Sequence, residues 1–155
     1  MHLTPLKPEE LPILRRWMED PALFRLVHLE PVDLSRPWFV WMIRTEDGRP
    51  VGWIDLFHVD WQNLRAEVGI GIPDPRGKGL SLFAARALRR IVFDEWMLHR
   101  VTARVRASNE PVIRLLKAVG FEQEGTERQA LRTRDGWEDL LIFGILNPKS
   151  DDESG

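Results

Sequence analysis

Three groups of residues in this sequence have types and spacing suited to chemistry. The first is Glu67, inside an alternating run over 65–72 in which Ala66, Val68, Ile70 and Ile72 fall on one side and Glu67, Gly69 and Gly71 on the other. That is the period-two pattern of a half-buried strand. Two glycines leave bare backbone beside the carboxylate, so a ligand arm has room to lie there with Glu67 facing it. A carboxylate so placed can take a proton from a nucleophile; its plainer reading is a surface or hairpin-paired glutamate. The second group follows Pro73 and Pro75, where the strand stops and Arg76-Gly77-Lys78-Gly79-Leu80-Ser81 begins. Glycines permit close approach, the start of the next helix presents unpaired N–H groups, and Arg76 and Lys78 add positive charge, so the turn suits a phosphate. The third is Asn109, an N-cap candidate two residues before Pro111 in a segment that Gly120 is placed to end.

The turn has neither the G-x-x-x-x-G-K-[ST] spacing of a nucleotide triphosphate loop nor the G-x-G-x-x-G of a dinucleotide fingerprint. Its spacing is R-x-x-G-x-S, at Arg76, Gly79 and Ser81. Here the sequence resembles the GCN5-related N-acetyltransferase (GNAT) superfamily, whose signature is Q/R-x-x-G-x-G/A. Ser81 departs from the usual last residue but is equally small. Asn109, Leu115, Gly120 and Phe121 match a second pattern of that superfamily, N-x-x-[A/S]-x-x-L-Y-x-K-x-G-F. The run R-x-x-D-G-W-x-D ahead of Leu140-Leu141-Ile142-Phe143 looks like the branch of ribosomal-protein N-terminal acetyltransferases (RimJ/RimL type) and spermidine acetyltransferases.

The resemblance implies an α/β (α+β) fold: one mixed, mostly antiparallel twisted sheet of six to seven strands, splayed between the fourth and fifth and flanked by about four helices. It implies acetyl-CoA as cofactor, with its pyrophosphate on Arg76, Gly77, Lys78, Gly79, Leu80 and Ser81 and its pantetheine along the backbone of Val68, Ile70 and Ile72. Asn109 then either caps its helix alone or also contacts the cofactor. Direct acetyl transfer to a primary amine, a peptide N-terminus or a small molecule, is the expected reaction, with Glu67 as base and Asp55 as second choice. Glu30, Asp55 and Glu67 are candidates to attract the amine. The tyrosine that often protonates the departing thiolate is replaced by Leu116, and the sequence contains no tyrosine. Ser108, Asn109 or water is left for that task. The rival readings are a protein that binds coenzyme A without turnover and a plain interaction domain presenting some of its seven tryptophans.

Composition narrows the field. At 155 residues the chain suits one domain, expected over 1–146 with a frayed tail over 147–155. Lys and Arg total 22 against 24 Asp and Glu, a net charge of −2, so no basic field argues for nucleic acid. No apolar run approaches the roughly 18 residues of a membrane span, and the start of the chain lacks a signal-peptide layout, so a cytoplasmic protein is expected. Cysteine is absent, which excludes a thiol acyl-enzyme, and four scattered histidines show no metal-binding spacing. A homodimer is the expected assembly.

The elements that must position these groups follow from periodicity. A short strand over 3–6 and a helix over 7–18 come first, then a proline-broken stretch over 20–37; the resemblance implies that this region shapes the acceptor pocket. Strands over 38–44 and 51–57 flank Asp47-Gly48, a hairpin signal. The helix after the turn carries Leu80, Phe83, Ala84, Ala87, Leu88, Ile91 and Val92 on one stripe, with Arg86, Arg89 and Arg90 on an outer, solvated face. A strand over 100–107 is expected parallel to the Glu67 strand, since a helix joins them. Strands over 121–134 and 137–146 close the chain around Asp135-Gly136.

Overall fold

In a computed structural model, described over residues 2–19, 39–74 and 79–149, the elements run β1 (His2–Pro5), a 3-10 turn (Pro8–Glu10), α1 (Leu11–Glu19), β2 (Val40–Arg44), β3 (Pro50–Asp60), β4 (Arg65–Gly71), α2 (Leu80–Arg90), a π turn (Ile91–Glu95), β5 (Arg100–Arg106), α3 (Glu110–Val119), β6 (Glu122–Thr133) and β7 (Gly136–Leu146). The strands form one sheet in the order β1-β2-β3-β4-β5-β7-β6. Every pairing is antiparallel except β4 with β5, which is parallel as the helical crossover requires. The mixed, largely antiparallel α/β architecture expected from the sequence is the one found.

Alternation sends neighbouring strand residues to opposite faces. On one face Val40, Met42 and Trp53 meet Leu6 and Leu14, so α1 covers the first strands. On the other, Trp41, Ile54, Ala66 and Val101 meet Leu88, Val92 and Phe93 from α2 and its π turn, and Ala103, Val105 and Phe143 meet Leu116 of α3. Both catalytic-side expectations depend on this division: Glu67 belongs to the first face and its neighbour Val68 to the second.

Local chemistry sets the boundaries. Gly48 takes φ +87° in the β2–β3 turn, and Gly120 takes φ +113° after α3, closing it through N–H donation to the Leu116 and Lys117 carbonyls. The helix expected over 7–18 begins instead as a 3-10 turn: the Lys7 N–H donates to Glu10 Oε1 at 3.1 Å. Glu10 is buried and ion-pairs with Arg44, while Arg44 Nε also donates to Thr4 Oγ1 at 2.9 Å. A tail expected from residue 147 is anchored at its first residue. Asn147 is buried, with Nδ2 donating to the carbonyls of Leu98 at 2.9 Å and Phe93 at 3.3 Å. Among the described residues no helix is long and apolar enough to cross a membrane.

Candidate functional site

The site forms where the sheet parts. β4 and β5 pair at Arg65↔Arg100, Ala66↔Val101 and Glu67↔Thr102 and no further, although the strands continue to Gly71 and Arg106. From 68 to 71, therefore, β4 keeps β3 on one edge and offers its other edge to an added strand-like partner. An apolar cavity of about 40 Å³ lies against this opening, walled by Val68 and Ile70 of β4, Val101 of β5, Leu88 of α2, and Leu115 and Leu116 of α3. That is far below the roughly 300 Å³ at which pockets for whole drug-sized ligands start. Beyond the open end α2 begins. Its N-cap, Gly79, is exposed at φ +90° and contributes no side-chain cap, leaving first-turn N–H groups for an anion.

At the closed end stands Glu67. Its side chain is 18% exposed and Oε1 lies 3.0 Å from Nδ1 of His58. Oε2 is buried and has no hydrogen-bond partner among the described residues. His58 reaches it from an irregular stretch of β3, where the register shifts between Phe57 and Asp60 and His58 takes φ +49°. Across the last rung, Thr102 is also buried, and Oγ1 likewise lacks a partner. Asp55, 2% exposed, pairs with Gly69 two rungs along and shares the Glu67 face. The structure thus brings Glu67 and Asp55 together, and adds His58 and Thr102, which the sequence reading passed over. Thr102 was findable: it holds the same parity as Arg100, Arg104 and Arg106, opposite the inward Val101, Ala103 and Val105. His58 had no local signal.

Several expected roles are refined. Val68 and Ile70 line the slot, whereas Ile72 and Leu80 turn their side chains into a cluster with Ile43, Val51 and Ala84, leaving only their backbone for a ligand. Ser81, in the first turn of α2, is half-buried. Asn109 is an N-cap, with Oδ1 accepting from the Val112 N–H at 3.4 Å. Glu30, Arg76, Gly77 and Lys78 lie outside the described residues. Arg89 does not join Arg86 and Arg90 on a solvated face: its Nη1 donates to the Val119 carbonyl at 2.8 Å, tying α2 to the end of α3.

The room expected beside Gly71 is taken. A Cβ there would fall into the Trp53 indole, 2.7 Å from Cζ2, and Trp53 stacks on Trp17 of α1 with ring centroids 6.0 Å apart. Gly71→Ala is accordingly expected to destabilise the fold by about 1–3 kcal/mol through overpacking. Urea unfolding reads this directly, and an unchanged midpoint would return the space to a ligand.

Electrostatics on the Glu67 face leave its carboxylate conspicuous. Arg100 holds Glu124 at 2.7 Å, Arg104 holds Glu127 at 2.9 Å and Arg106 holds Glu138 at 2.8 Å. The Arg100 hydrogen bond keeps the Glu124 carboxyl below its ordinary range, and Ser108 followed by Arg106 does the same for Glu138. With those arginines matched, the ion-pair partner of Glu67 among the described residues is His58 alone. The face suits a cation, and the slot behind it an extended, uncharged arm.

Comparison with known proteins bears on the family and the fold. The family described as acetyltransferase (GNAT) domain matches residues 1–122. The chain is 31% identical over 126 residues to the probable N-acetyltransferase YjcK of Bacillus subtilis, covering 80% of this chain and 68% of that protein. To the spermidine N(1)-acetyltransferase of Escherichia coli K12 it is 30% identical over 139 residues, 79% of this chain and 73% of the other. Among solved structures, the spermidine N-acetyltransferase of Vibrio cholerae in complex with CoA and spermine is similar in fold, with TM-score 0.81 at 18% identity over 96% of each chain.

Proposed function

The chain belongs to the GNAT acetyltransferase family, and on that premise we propose that it transfers acetyl directly to a primary amine, with Glu67 as the base that frees the nucleophile. N-acetyltransferase activity with acetyl-CoA follows from membership; the amine, the base and the order of events are our reading. The observation that carries it is Glu67 Oε2, buried and without a hydrogen-bond partner among the described residues, at the closed end of the splay.

Acetyl-CoA, when bound, supplies a thioester carbonyl as electrophile and a thiolate as leaving group. The chain's part is to hold and to move protons. First-turn N–H groups of α2, at Gly79, Leu80 and Ser81, together with Arg76, Gly77 and Lys78, would hold the pyrophosphate. The free edge of β4 would bond the pantetheine amides, and Val68, Ile70 and Leu116 would exclude water from the arm. Glu67 Oε2 takes the proton that an ammonium must lose to expose a lone pair, while His58 occupies Oε1 and fixes the carboxylate's orientation. Asp55 and Glu30 add negative charge that favours a cationic acceptor, and Asn109 sets the start of α3 at the mouth. Without cysteine there is no thiol to carry acetyl, so both substrates meet in one ternary complex. With Leu116 where an acid often stands, the chain offers no side-chain acid at that position; acetyl-CoA, when bound, would supply a thiol of ordinary pKa about 8.5 as leaving group, for which water would suffice as proton source.

For the acceptor we propose the range of the ribosomal-protein N-terminal and spermidine-type branch: peptide α-amines and small aliphatic amines. We further propose one catalytic domain over 1–146, working in the cytoplasm as a homodimer, which light scattering would test. Thiol release from acetyl-CoA should be measured against N-terminal peptides, polyamines, aminoglycosides and amino acids. One amine class should stand at least tenfold above the rest; coenzyme A binding with no turnover on any amine would sink the reading.

A further inference from the structure

Thr102 is buried deep enough that an unused hydroxyl there is costly, and Oγ1 has no hydrogen-bond partner among the described residues. Glu67 Oε2 is in the same condition, and the two residues are register partners on the last rung that β4 and β5 share. Residues so paired point the same way and stand about 4.8 Å apart across the sheet. Two orphaned oxygens at one rung, each able to accept, would both be satisfied by one small group that donates to the two. A carboxylate accepts only, and a hydroxyl both accepts and donates. The group that matches is a primary ammonium, with one N–H for each oxygen and one to spare.

We propose that Thr102 is a second contact for the reacting nitrogen, accepting one N–H on Oγ1 while Glu67 Oε2 takes the proton that leaves. This rests on the Glu67 reading above and extends it to the orientation of the nucleophile. The departing proton goes to Glu67 Oε2, and the bond to Thr102 keeps the nitrogen at the last shared rung while the lone pair so exposed turns toward the slot. Thr102 is then a determinant of amine affinity and aim, and is separate from the apolar slot, since it faces the opposite side of β5 from Val101 and Ala103.

The test compares Thr102→Val, which keeps shape and removes the hydroxyl, with Thr102→Ser, which keeps the hydroxyl, and with Glu67→Gln. Spermidine and an alanine-initiated hexapeptide serve as amine probes. Thr102→Val should lower kcat/KM for the acetylated probe by roughly 10–100-fold, the range of a hydrogen bond to a charged group. Its dissociation constant for coenzyme A should stay within twofold. The thermal midpoint of the ligand-free protein should hold or rise by about 2–4 °C, because an unsatisfied buried hydroxyl is gone. Thr102→Ser should retain activity within about threefold. Wild-type kcat/KM in Thr102→Val overturns the proposal, as does an activity loss accompanied by a lower midpoint or weaker coenzyme A binding, which would make the hydroxyl a packing element. If Thr102→Val is intact while Glu67→Gln is slow, the Thr102 contact falls and the base stands. If Glu67→Gln is intact while Thr102→Val is slow, the base falls and the contact stands.

Discussion

Glu67→Gln is expected to slow acetylation of a lysine-like amine by about 10²–10⁴-fold, the usual contribution of a positioned base. Glutamine fills the same volume and can still meet His58, but the half of the side chain facing the acceptor can no longer take a proton. The size of the loss should depend on the acceptor. An α-amine with pKa about 8 is roughly a tenth neutral at pH 7, whereas an amine with pKa about 10.4 is neutral in well under one molecule in a thousand. The defect should therefore be larger for polyamines and lysine-like acceptors than for peptide N-termini, and should shrink for both as pH rises toward the amine's own pKa. Coenzyme A affinity should be unchanged, since Glu67 and the slot-lining Val68 face opposite sides of β4. Rates of thiol release that match wild type across pH 6–10 would remove Glu67 from the mechanism.

The largest expected loss of stability is that of Phe143→Ala. Phe143 is fully buried, pairs with Ala103 of β5 and Gln123 of β6, and packs with Ala103, Val105 and Leu116. Removing such a ring takes away its transfer free energy and leaves a cavity that the sheet cannot close, about 3–5 kcal/mol in comparable cores. At this chain length that corresponds to a thermal midpoint lowered by roughly 6–20 °C. The damage should reach function as well, because Leu116 is both a neighbour of Phe143 and a wall of the slot. Calorimetry with and without coenzyme A tests both halves: a shift under 3 °C, or full retention of affinity, would contradict the packing argument.

Much of this molecule could be read along the chain because the deciding interactions are local. The alternation over 65–72, the Asp-Gly turns, Gly120 after a helix and Asn109 before one each declare themselves within a few residues. What escaped is what depends on a neighbour distant in sequence. Along the chain the side of Gly71 looks like room for a ligand, because nothing nearby says that Trp53 covers it, with Trp17 behind. Periodicity puts Arg89 on a solvated face, because its partner, the Val119 carbonyl, is thirty residues away. Asn147 falls in the expected tail, because the carbonyls it bonds belong to Phe93 and Leu98. At the site, the carboxylate could be picked out by its type and the company of glycines. The hydroxyl facing it could be found only by knowing that β4 and β5 run parallel and which residues share their last rung.

That short shared edge has a mechanical consequence. Only three rungs join the first four strands to the last three, so the seam beyond them should be stiffened by whatever is wedged into it. Acetyl-CoA, bound there as proposed above, would be a splint as well as a reactant. Binding it adds RT ln(1 + [L]/Kd), about 2.7 kcal/mol at a hundredfold excess over Kd, and that gain falls on the seam. Slow amide exchange in β5 and at 68–71 should therefore mark the loaded form, and the lifetime of the protein in a cell should follow the supply of the molecule it consumes.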